Sequence, residues 1–83
     1  NYDILSDAYE KLGRSYALLR QYIKAADAFS KALNFAGSEQ KKANLGFLLG
    51  DAYQKGNIIM EAKKAFRQVA ESYDSIWARL AQQ

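Results

Sequence analysis

The sequence predicts an all-α chain, and three observations predict it. Its 83 residues contain no proline, only five glycines and few β-branched side chains, so little opposes helix. Apolar residues recur at steps of three and four. Slid against itself by 37 positions, the sequence pairs Leu12 with Leu49, Gly13 with Gly50, Tyr16 with Tyr53, Ala25 with Ala62, Ala28 with Ala65 and Phe29 with Phe66, without a gap. A period in that range marks stacked helical repeats.

Each element follows from local chemistry. The first helix is expected from Asp3 to Leu19, with Leu5, Ala8, Tyr9, Leu12, Tyr16 and Leu19 as its apolar stripe. The second takes Tyr22, Ala25, Phe29, Leu33 and Ala36 and stops at Gly37, a residue suited to the left-handed closing position. Ser38 is the expected N-cap of the third, with Glu39 in its first turn and Leu45, Leu48, Leu49, Ala52 and Tyr53 as its stripe. Gly56 and Asn57 make the next turn, since both residue types tolerate positive φ. The fourth helix shows Ile59, Ala62, Phe66, Val69 and Tyr73, and Asp74 or Ser75 caps a short fifth carrying Ile76, Trp77 and Leu80.

Gly13 and Gly50 stand inside helices, where glycine costs roughly 1 kcal/mol relative to alanine. The sequence reading is that each lets the following helix approach through Ala25 or Ala28, and through Ala62 or Ala65. Tyr16 and Phe29, or Tyr53 and Phe66, then cover the gap.

These residues resemble the tetratricopeptide repeat, whose pattern is an aromatic, two residues, Leu-Gly, two residues, Tyr, then Ala, three residues, Phe. Tyr9, Leu12, Gly13, Tyr16, Ala25 and Phe29 match in the first copy, and Leu49, Gly50, Tyr53, Ala62 and Phe66 in the second. The resemblance implies one domain over 1–83: repeat one at 3–37, repeat two at 38–73, and the start of a third repeat or a capping helix at 75–83. The fold it implies is a right-handed α-solenoid fragment. Three departures stand out. The period is 37 where the family has 34, placing three extra residues between Phe35 and Leu45. Gly46 replaces the first aromatic, and the closing proline is missing from both copies. The stretch ESYDSIWARLAQQ also resembles bacterial envelope proteins of this family, of the Tol-Pal coordinator and outer-membrane assembly lipoprotein type. That leaves a cytoplasmic or a bacterial periplasmic location open. The chain begins at Asn1 without a start methionine or signal peptide, which reads as an excised piece.

Composition narrows the chemistry. Without cysteine or histidine the sequence offers no disulfide, no thiolate metal site and none of the commonest general base. Serines 6, 15, 30, 38, 72 and 75 have no histidine to activate them, and Asp3 with Asp7 is the only close acidic pair. The sequence therefore predicts no enzyme, no cofactor and no metal. The net charge of +3 is spread along the chain, and Lys55, Lys63, Lys64 and Arg67 read as the wet side of a helix instead of a nucleic-acid face. No apolar run reaches the roughly 20 residues of a membrane helix.

What remains is surface. In the resembled family the first helix of each pair lines a concave groove that holds a peptide or partner helix. Carried over, the groove residues are Glu10, Arg14 and Ala17, then Asn44, Phe47, Asp51 and Gln54. Phe47 lies off the apolar stripe of its helix, and an unburied phenylalanine asks for a partner. Family members that clamp a terminal carboxylate do so with lysine, asparagine and arginine. Glu10, Arg14, Asn44, Leu48 and Arg79 hold those places here, which predicts no useful affinity for acidic C-terminal peptides. The expected function is a scaffold that binds a protein or peptide. A structural spacer within a longer solenoid and a self-associating module (a homo-oligomer) are the alternatives.

Overall fold

The computed structural model describes residues 2–81, with side chains described through residue 71. Four helices follow one another: α1 (Tyr2–Leu18), α2 (Tyr22–Asn34), α3 (Glu39–Lys55) and α4 (Ile59–Ala81), with no strand among the described residues. α1 packs on α2, α2 on α3 and α3 on α4, in a slab of 45 × 32 × 15 Å. A helix with its side chains is roughly 10–12 Å across, so the thinnest dimension admits little more than one layer.

The expected separate fifth helix is not present. α4 runs unbroken through Asp74 and Ser75 to Ala81. No glycine or proline stands between Ile59 and Ala81, and Asp or Ser caps a helix only where something else has already turned the chain out of it. The side chains of Tyr73, Ile76, Trp77, Arg79 and Leu80 lie outside those described.

The helices keep the 37-residue offset: α1 begins at Tyr2 and α3 at Glu39, α2 at Tyr22 and α4 at Ile59. Their closing turns keep it too. Arg20 N–H donates to the Ala17 carbonyl at 3.0 Å and Gln21 N–H to that of Tyr16 at 2.9 Å. The counterparts are Asn57 to Gln54 at 3.0 Å and Ile58 to Tyr53 at 2.8 Å. This paired closure needs one left-handed residue, here Arg20 at φ 61° and Asn57 at φ 65°. Gly56 and Asn57 do turn the chain, but only Asn57 has positive φ.

Gly37 does not take the left-handed role expected of it, as no described glycine has positive φ. α2 ends earlier, at Asn34, where Phe35 N–H turns back to the Ala32 carbonyl at 3.1 Å. The Phe35 ring stacks on Tyr2 and Tyr9 of α1, with centroids 5.7 and 6.1 Å away. An aromatic anchor ends the helix. Ser38 then caps α3 as expected, its hydroxyl accepting from Lys41 N–H at 3.1 Å. The three extra residues fall within helix and the short 35–38 link.

The core runs along α2, where Ala25, Ala26, Ala28 and Ala32 are buried and small enough for helices on both sides, and Phe29 is buried among them. Leu45, Leu49 and Ala52 of α3 close on that face. A Cβ built on Gly13 would lie 2.6 Å from Phe29 Cε1, and one on Gly50 2.7 Å from Phe66 Cε1. Each glycine makes room for a phenylalanine ring, so the expected approach through alanines is corrected. Gly46 plays the same part for Val69, whose Cγ2 lies 2.7 Å from its absent Cβ.

α1 departs most from its expected stripe. The residues it buries are Ser6 and Gly13, while Leu5, Leu12 and Leu19 remain 41, 43 and 67 % exposed. Ser6 is polar yet fully buried, because its hydroxyl donates to the Ala32 carbonyl across the helix pair at 2.8 Å.

Candidate functional site

Between α1 and α3, over the face of α2, runs a channel made of two adjoining cavities. One of about 350 Å³ is lined by Arg14, Ala17 and Leu18 of α1, Tyr22 and Phe29 of α2, and Leu48, Asp51, Ala52 and Lys55 of α3. The other, of about 300 Å³, is lined by Glu10, Arg14, Lys41, Ala43, Asn44, Phe47, Leu48 and Val69. Arg14 and Leu48 belong to both, which makes the cavities adjacent reaches of one channel.

Six of the seven residues expected to form a groove therefore line this channel: Glu10, Arg14, Ala17, Asn44, Phe47 and Asp51. Gln54 lines neither cavity and is exposed on α3. Lys41 and Lys55 were missed, although helical spacing carries the signal. Steps of three and four from Asn44 lead to Lys41, Leu48, Asp51 and Lys55 in turn. Leu48, expected both on the apolar stripe of α3 and at a carboxylate-clamp place of the groove, is half-buried and forms the ridge between the cavities.

Phe47 is the most exposed aromatic of the channel, at 59 %. Its ring meets Phe66 edge-on, with centroids 5.6 Å apart and planes at 60°. That contact fixes one side and leaves the remainder open, so little ordering entropy is left for a ligand to overcome.

Every cation lining the channel has an acid beside it. Arg14 Nε lies 3.0 Å from Glu10 Oε2, Lys55 Nζ 3.1 Å from Asp51 Oδ2, and Lys41 bonds Asp7 across the two helices. The two i,i+4 pairs are each worth only a few tenths of a kcal/mol, but with Lys41–Asp7 they leave the rim near neutrality. The Asp7 hydrogen bond holds the Lys41 ammonium above its ordinary pKa, against a smaller opposing effect of desolvation. Tyr53 is likewise raised, by burial first and by Glu61 and Asp27 second.

Among the described residues no group of His, Cys, Asp and Glu is arranged to hold a metal ion, and no helix is long and apolar enough to cross a membrane. Compared with known proteins, the chain matches no family model, no curated protein and no solved structure.

Proposed function

We propose that this chain is a non-catalytic interaction module that holds a peptide segment or partner helix in the channel between α1 and α3. On this reading it comprises two tetratricopeptide repeats, at about 3–37 and 38–73, in a right-handed solenoid. The 37-residue register of helix starts, closing turns and glycine–phenylalanine contacts supports that assignment. The observation that carries the functional reading is Phe47, exposed in one reach of the channel beside Leu48, which in the adjoining reach lies with Ala17 and Ala52. A buried apolar anchor inside a polar rim is how interfaces concentrate their binding energy. Glu10–Arg14 and Asp51–Lys55 supply the rim, and their neutrality favours an apolar side chain flanked by uncharged groups over a free carboxylate.

Selection from a displayed library of random peptides, followed by titration of the recovered peptide, tests the reading. Phe47→Ala is expected to weaken the selected peptide at least about tenfold, while Met60→Ala on exposed α4 leaves it unchanged. Binding indifferent to Phe47 contradicts the proposal, as does failure to recover any peptide.

A further inference from the structure

The walls of the channel hold hydrogen-bonding capacity that the chain itself does not use. α1 and α3 pass along the channel in the same sense, since Glu10 and Asn44 line one reach while Ala17 and Asp51 line the other. Arg14 of α1 and Asp51 of α3 stand at equivalent places in the two helices, 37 residues apart, and both line the larger reach. A guanidinium has five N–H donors, and Arg14 spends the one on Nε, bonded to Glu10 Oε2. No side chain or carbonyl among the described residues accepts from its Nη groups. Asp51 gives Oδ2 to the Lys55 ammonium and keeps Oδ1. One wall of this reach therefore offers donors and the other an acceptor.

A trans peptide unit has the matching shape. Its C=O and N–H point to opposite sides, so one unit lying along the channel accepts from Arg14 and donates to Asp51 at once. Only an extended segment has such a unit to spare. Inside a helix the same groups are spent on bonds from each N–H to the carbonyl four residues back, and the walls meet side chains alone. Successive side chains of an extended segment point to opposite faces, so every second one reaches the floor of Ala17, Phe29 and Ala52. The charges agree. Glu10 already balances Arg14 and Lys55 balances Asp51, so a neutral peptide group suits these walls better than an ion of either sign.

We propose, resting on the reading of the channel as a peptide-binding site, that its occupant is an extended segment and not a helix, held by one main-chain peptide unit that bridges Arg14 and Asp51. The walls then select a backbone conformation, while Phe47 and the floor select side chains.

The test uses a peptide selected against the whole chain from a random library. Transferred nuclear Overhauser effects are expected to show strong contacts from each α-proton to the next amide proton and weak contacts between successive amide protons, the pattern of an extended chain. Each peptide bond is then replaced in turn by an ester, which removes the N–H and weakens the carbonyl as an acceptor. One ester is expected to weaken binding to the unaltered chain about fivefold and binding to Asp51→Ala less than about twofold, because there the wall acceptor is already gone. A helical pattern overturns the proposal, as do ester losses that are equal in the two proteins. Phe47→Ala with the same peptide keeps the two readings apart. Phe47-dependent binding of a helical peptide leaves the channel as the site and overturns the extended segment alone, whereas binding indifferent to Phe47 overturns both.

Discussion

α1 and α3 are the same helix placed in two settings. Both have 17 residues, start 37 residues apart, make room for a phenylalanine ring at a glycine and close on a left-handed residue. α3 lies between α2 and α4, while α1 packs closely on α2 and meets α3 through the Asp7–Lys41 pair. Leu49 is consequently buried and Leu12 is not. Local sequence sets the helix and its ends, and the number of neighbours decides whether the same leucine is core or surface.

Alanine at the two leucines separates those settings most widely. Leu49→Ala is expected to cost about 2–4 kcal/mol, as for a buried leucine, and Leu12→Ala less than about 1 kcal/mol, by denaturant titration of dilute protein. Equal losses would break the comparison. The glycines sharpen it. Gly13→Ala gains helix propensity but drives its Cβ into Phe29, which is buried, so a net loss of about 1–3 kcal/mol is expected. Gly50→Ala meets the half-buried Phe66, which has room to move, and its loss is expected to be less than half as large.

Smaller effects come next. Ser6→Ala leaves the Ala32 carbonyl with only the Phe35 N–H, and thermal unfolding is expected to show a loss of about 1 kcal/mol. Arg20→Gly relieves a left-handed non-glycine residue and is expected to stabilise by about 0.5 kcal/mol, whereas Gly37→Ala gains nothing of this kind. Alkaline pH gives the least effect near neutrality. Lys41 and Tyr53 both have folded pKa values raised above their ordinary 10.5 and 10.0. Their contributions are therefore complete below pH 10 and are lost as pH rises through the folded values. Asp7→Asn should flatten the part due to Lys41.

Much of the fold was legible because helix signals are local. The Ser38 cap, the Asn57 turn and the offset of 37 are written in residue types and spacing. Arg20 was not legible by residue type, since arginine carries no left-handed preference, yet the offset from Asn57 marks its place. Gly37 misled for the opposite reason: its permissive backbone went unused once Phe35 stacked on Tyr2 and Tyr9. The stripe of α1 misled because periodicity says which residues share a face and not whether another helix covers it. In the channel, Phe47 was legible as an apolar residue off its stripe, while Lys41 and Lys55 were hidden because a polar residue at helical spacing does not say which groove it rims.

The channel between α1 and α3 is the candidate contact surface, and one measurement tests it most directly. Amide chemical shifts of the labelled chain are followed during titration with a peptide selected for binding. The account predicts a footprint on Glu10, Arg14, Ala17, Asn44, Phe47, Leu48 and Asp51, with Leu5, Leu12 and Ile23 unmoved. A footprint on Leu5, Leu12 and Ile23, with the channel amides silent, would contradict it.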